Sequence, residues 1–100
     1  MKQNCLYITQ HNISDVMAEN IKSYLDATKE NPKKQVYKLI IDSCSIQDNQ
    51  LAKILEGINL QGSYIKTFVN ANNVLGHLSI KELHNMLPHL RELQVNNIST

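Results

Sequence analysis

Apolar residues along this chain alternate between two rhythms, a short strand-like run and a longer helical stripe, and the succession returns at constant shifts. Adding 29 to Val36, Leu39, Ile46, Leu51, Ile54 and Ile58 gives Ile65, Phe68, Leu75, Ile80, Leu83 and Leu87, apolar at every place. An earlier unit aligns at a shift of 33, with Leu6, Ile8, Ile13, Asp15, Ile21 and Leu25 falling on Leu39, Ile41, Ile46, Asp48, Ile54 and Ile58. The four additional residues fall in the polar stretch Lys29 to Gln35, where Asn31-Pro32 is expected to end a helix and open a surface loop. A fixed period of roughly 20 to 29 residues means that one unit cannot bury its own apolar face and must stack on a neighbour.

The helical stripes carry recognisable punctuation. Leu51, Ile54, Leu55 and Ile58 come at the spacing of one helix face. Asp48 just ahead of them offers a carboxylate to the free amides of that helix, and Gly62 is a breaker beyond its end. In the third unit Ser79 and Glu82 have capping-box spacing, Leu78 and Leu83 stand at hydrophobic-staple spacing, and Pro88 closes the helix. Leu90, Leu93 and Val95 then repeat only the opening strand of a further unit.

The segment Val36 to Ile46, VYKLIIDSCSI, reads position by position as LxxLxLxxCxL. In this the chain resembles the leucine-rich repeat family, and within it the ribonuclease-inhibitor-like type with 28 to 29 residues and a full helix per unit. The resemblance implies an α/β fold, a right-handed solenoid with a parallel sheet on its concave face and helices on its convex face. It implies one segment over residues 1–100 of about three and a half repeats, roughly 3–35, 36–64, 65–89 and 90–100. It also implies that Cys44 and Asn73, in the ninth place, bond to backbone in the turn, a place His11 and Ile98 fill imperfectly. The third unit departs once, with Asn70 where an aliphatic residue is expected. A competing register through Tyr64, Thr67, Val69, Asn72 and Val74 would turn Val69 inward, but only the first register keeps the shift of 29 through the helix.

In such a fold partners usually bind the concave face, which implies a protein-binding surface containing Tyr7, Tyr37, Lys38, Ile40, Asp42, Lys66, Val69 and Gln94. The fifth-place column Tyr7, Ile40, Val69 and Gln94 is apolar at three of four positions on a face that otherwise meets water. Ordinary β-propensity would place the same residue types there without any partner.

Composition narrows the function further. Ten Lys plus Arg against nine Asp plus Glu leave a net charge of +1, too weak a field for nucleic-acid binding to be the expectation. The first ten residues lack the apolar core and cleavage site of a signal peptide, and no apolar run approaches the roughly 20 residues of a bilayer span. With two cysteines, Cys5 and Cys44, and no disulfide framework, the expectation is a soluble intracellular, cytoplasmic protein. Leucine-rich repeats of cytoskeletal or ciliary assemblies resemble this pattern, and so do those of secreted bacterial effectors.

Catalysis finds little support. Cys44 already has a structural role in the repeat, and His84 and His89 are not at the i, i+4 spacing of a helical metal site. No GxGxxG, GxxxxGK[ST], CxxC or HExxH occurs, so neither cofactor, metal nor small-molecule substrate is expected. Lys33 and Lys34, with Lys29 and Lys38 nearby, form a basic run of the kind usually found in solvated loops. Neither end of the repeat array is capped by a polar unit, which implies stacking against a neighbouring chain or a longer array. The rival reading is a compact domain similar to STAS modules, with Ser43 or Ser45 as a phosphate acceptor ahead of the helix near Asp48.

Overall fold

A computed structural model of the chain describes residues 4–9, 12–42, 45–62 and 64–95. Among these residues four strands alternate with three α-helices: β1 (Asn4–Thr9), α1 (Asp15–Ala27), β2 (Val36–Asp42), α2 (Asp48–Gln61), β3 (Thr67–Ala71), α3 (His77–Met86) and β4 (Glu92–Val95). All neighbouring strands pair in parallel, in the sheet order β1-β2-β3-β4. The protein is therefore an α/β fold in which sequence neighbours are also sheet neighbours. Parallel strands need a crossover between them, and here each crossover carries a helix. The helices follow the same order, α1 packing on α2 and α2 on α3.

The strand register reproduces the shifts read from the sequence. Leu6 pairs with Leu39 and Leu39 with Phe68, and Ile8, Ile41 and Asn70 form the next row. Leu39, Ile41, Phe68, Leu51, Ile54 and Leu55 are completely buried. Burying each such side chain contributes about 1.5 to 3 kcal/mol, so this shared interior is the principal source of cohesion between units. The helices of the first two units approach closely at Gly57, where a Cβ would stand 3.0 Å from both Leu25 Cδ1 and Lys22 Cα.

Asn70 does face inward, as the register with the shift of 29 requires, while Val69 is on the opposite face. Its buried amide is not stranded. Asn70 Nδ2 donates to the Asn73 carbonyl at 3.3 Å. The buried Asn73 Nδ2 in turn donates to Ala71 O at 2.9 Å and to Ile41 O at 3.2 Å, tying the turn after β3 back to β2. Asn72 between them takes a left-handed φ of 60°, a conformation asparagine tolerates better than most residues. The corresponding Cys44 lies outside the described residues, as do Ser43, His11 and Ile98.

The helix starts differ from the expectation in an instructive way. Asp48 does not cap its own helix: α2 begins after Gln47, whose backbone N–H donates to Gln50 Oε1 at 2.9 Å. The Asp48 carboxylate instead accepts the N–H groups of Gly76 (3.0 Å), Leu78 (2.9 Å) and Ser79 (3.1 Å) at the start of α3. The Ser79–Glu82 capping box is accordingly not formed. Gly76 is the cap residue, Ser79 is buried in the first turn with its hydroxyl donating to Asp48 O, and Glu82 accepts from Asn59 Nδ2 at 3.0 Å. Leu78 is half exposed rather than stapled.

A related contact, to a side chain rather than to backbone amides, occurs one unit earlier, where Asp15 Oδ1 accepts from Gln50 Nε2 at 2.9 Å. Each of these aspartates thus reaches across to the next helix start. Partial burial acts to raise the Asp48 pKa, but hydrogen bonds from Ser79 and from the Leu78, Ser79 and Gly76 amides outweigh it and hold the carboxyl below its ordinary value.

Helix α1 ends at Ala27, ahead of Asn31-Pro32, because Thr28 leaves helical geometry and its hydroxyl donates to Tyr24 O at 2.8 Å. Asn31-Pro32 opens a 3-10 turn over Pro32–Lys34 instead. Two buried glutamines secure this longer connection. Gln35 Nε2 donates to the carbonyls of Lys29 (2.9 Å) and Asn31 (3.0 Å), and Gln61 accepts from Val36 N (2.8 Å) while donating to Lys34 O (3.0 Å). Gly62 follows α2 at φ 120°, and α3 gives way to a 3-10 turn at Leu87–His89 containing Pro88, both where expected.

Candidate interaction surface

Alternation along each strand sends one set of side chains into the interior and the other to the face away from the helices. Because the strands are in register, the outward residues form rows across the sheet. Tyr7 pairs with Ile40, Ile40 with Val69 and Val69 with Gln94. The fifth-place column is therefore a continuous row, with Tyr7 55% exposed and Ile40 and Val69 partly exposed. Adjacent members stand about 4.8 Å apart, the spacing of hydrogen-bonded strands.

Two further rows flank it. Toward the strand starts, Cys5, Lys38, Thr67 and Glu92 line up, and Lys66 stands one step further back, its N–H donating to Tyr37 O and its carbonyl accepting from Arg91 N. Toward the strand ends come Thr9, Asp42 and Ala71. Asn72 Nδ2 donates to Asp42 Oδ1 at 2.9 Å. The starting edge is basic: Lys38, Lys66 and Arg91 gather there against Glu92, and none of the three forms an ion pair with a described residue. Lys33 and Lys34, both exposed, continue this edge beside Asn4, whose Nδ2 donates to Lys33 O.

All eight residues expected on the binding face are thus placed. Tyr7, Ile40, Val69 and Gln94 share one row, Lys38 and Asp42 lie in the rows on either side, and Tyr37 and Lys66 stand at the starting edge. The Tyr37–Tyr64 pair was not anticipated; the rings meet edge to face with centroids 6.3 Å apart and an interplanar angle of 81°. In the sequence Tyr64 opens the competing register and stands one place before the register that the structure follows, so nothing there pointed to a contact with Tyr37.

A second apolar surface was also missed. Leu6, Ile21, Tyr24, Leu25 and Val36 line a groove of about 230 Å³ with Asn20, bounded by β1, α1 and the start of β2. Leu6, Ile21 and Leu25 belong to the inward set of the first unit and Val36 opens the second, so the sequence marks these four as core. Leu25 and Val36 are buried at its floor, whereas Leu6 and Ile21 are partly exposed and Tyr24 is exposed.

On the helix side, ion pairs link α1 to α2. Lys53 pairs with Glu19 at 2.7 Å and Lys22 with Glu56 at 3.2 Å. The Lys53 hydrogen bond lowers the Glu19 pKa, and the same bond raises that of Lys53. Such solvent-screened surface pairs add little to stability.

Among the described residues no group of three His, Cys, Asp or Glu side chains could hold a metal ion. Ser45, one candidate acceptor of the STAS-like reading, is exposed, and its carbonyl accepts from Ile13 N in an isolated bridge region between Asn12 and Ser45. Among the described residues no helix is long and apolar enough to cross a membrane. No protein-family model, curated protein or solved structure matches the chain.

Proposed function

We propose that this chain is a segment of a leucine-rich-repeat solenoid that serves as a non-enzymatic protein-binding module, taking its partner on the outward face of the sheet. The observation that carries this reading is the row Tyr7–Ile40–Val69, three apolar side chains in register on a face with polar residues on both sides. An apolar stripe rimmed by polar groups is the usual anatomy of a contact surface. Backbone hydrogen bonding fixes the row before a partner arrives, so little conformational entropy is lost when it binds.

The apolar groove beside β1 supports a companion proposal, that a neighbouring chain or a further repeat stacks against the array at this edge. A strand edge with no partner among the described residues, next to the partly exposed Leu6 and Ile21, favours such addition. The free thiol of Cys5 fits a reducing intracellular compartment, and we propose a cytoplasmic assembly, cytoskeletal or ciliary structures included, as the setting.

Affinity capture with the wild-type chain beside a Tyr7→Asp/Ile40→Asp/Val69→Asp variant tests the binding face. A Tyr7→Thr/Ile40→Thr/Val69→Thr variant accompanies it, because three aspartates in one cross-strand row repel one another and threonines do not. Loss of the same partners from both variants is the expected result. Partners retained by both would remove the sheet face from the account.

A further inference from the structure

The outward sheet face changes in charge from the strand starts to the strand ends and carries an apolar row across its middle, and together these restrict what can lie on it. Successive members of the row are set by the strand spacing of about 4.8 Å. An α-helix laid across the strands presents apolar side chains at i, i+3 or i+4, and i+7, which advance by about 4.5 to 6 Å per step. An extended segment in the same direction repeats the same face only every two residues, about 6.7 Å. The helix therefore meets Tyr7, Ile40 and Val69 one to one, and the extended chain falls out of step after the first contact.

Charge then selects the helix. One flank of such a helix passes over the starting edge, where the three cations Lys38, Lys66 and Arg91 outnumber the single anion Glu92 and form no ion pair with a described residue. The other flank passes over Thr9, Asp42 and Ala71. Resting on the assignment of this face as the binding surface, we infer that its occupant is an amphipathic α-helix of a protein partner, lying across the strands with an acidic flank over the Lys38–Lys66–Arg91 edge. Apolar contact with the row holds the helix, and the charges set which flank faces which edge.

The inference is tested by fluorescence anisotropy with three labelled synthetic peptides titrated with the whole chain. The first carries leucines at i, i+3, i+4 and i+7 with glutamates along one flank and glutamines along the other. The second replaces the glutamates by lysines, and the third keeps the glutamates but has two prolines in the helix centre. The acidic helix is expected to bind saturably and about tenfold more tightly than the basic one, an effect of three rim charges. A Lys38→Glu/Lys66→Glu/Arg91→Glu chain is expected to reverse that order, and the proline peptide to lose saturable binding.

No saturable binding of the acidic helix, equal affinity for the acidic and basic peptides, or undiminished binding of the proline peptide would each overturn the inference. Ile40→Asp and the more exposed Tyr7→Asp separate its failure from that of the face itself. If the proline peptide binds as well as the helix and both substitutions release it, the face stands and the helix does not. If both substitutions leave peptide binding intact, the face fails with it.

Discussion

The carboxylate of Asp48 accepts the backbone N–H of Gly76 at 3.0 Å, although Asp48 opens one helix and Gly76 precedes the next. One side chain thus satisfies three amides at the start of α3, amides that would otherwise face a partly buried interface unpaired. This is a local capping interaction transferred between units, and it couples the stability of one repeat to the presence of another.

Asp48→Ala is expected to destabilise the protein by about 1 to 2 kcal/mol, the usual cost of losing a helix cap. For a chain of this size that lowers the Tm by roughly 4 to 8 °C per kcal/mol. Hydrogen exchange would locate the effect: the amides of Gly76, Leu78 and Ser79 should lose protection, while those of α2 change little.

The same carboxylate carries a pH dependence. Its pKa is lower folded than unfolded, because hydrogen bonds from Ser79, Leu78 and Gly76 outweigh the opposing effect of burial. Its contribution is therefore complete above the unfolded value of about 3.9 and is lost as pH falls through the lowered folded value. Urea denaturation from pH 7 down to acid should show wild type losing its advantage over Asp48→Asn only below about pH 4. An advantage that fades near neutrality would point to another group.

Gly76 is required for the approach of that carboxylate. A Cβ at this position would stand 2.6 Å from Asp48 Cγ, so Gly76→Ala should displace the side chain and cost about as much as losing the cap. The Gly76→Ala/Asp48→Ala double variant should then be clearly less destabilised than the sum of the two, a non-additivity expected only of residues in contact.

Asn70 and Asn73 should differ in their tolerance of leucine. Asn73→Leu removes the donor to Ile41 O and Ala71 O and leaves Asn70 short of a partner, an expected loss of about 2 kcal/mol or more. Asn70→Leu restores the aliphatic residue of the repeat and leaves the Asn73 bonds to backbone in place, so it should stay within about 1 kcal/mol of wild type. Chemical denaturation of the two variants side by side checks the asymmetry.

The sheet rows were legible in the sequence because a parallel sheet with one buried face imposes a strict register, and a slip by a single residue would turn Leu39 and Phe68 to solvent. The shifts of 29 and 33 therefore carried direct information on which side chains become neighbours, including Tyr7, Ile40 and Val69. The helix starts were less legible. A carboxylate, a serine and a glutamate near a helix start fit several capping patterns equally well in sequence, and only the packing of α2 on α3 decides that Asp48 serves Gly76, Leu78 and Ser79. The repetition of Asp15 at Asp48 was the available clue, since a polar residue kept in register along a stack implies a contact between units. Gln35 and Gln61 gave no signal at all: polar residues in a polar stretch read as solvated, yet both are buried among the carbonyls of the connection they hold.

The proposed binding face stands or falls with the outward row, and solution NMR on protein with labelled isoleucine and valine methyl groups tests that row most directly. Side-chain cross-relaxation linking the Tyr7 ring to the Ile40 methyls, and the Ile40 methyls to those of Val69, is the expected result, with Ile41 and Phe68 connected only to interior residues. Cross-relaxation from Tyr7 to Ile41, or from Val69 to Leu39, would mean a slipped register and would contradict the row.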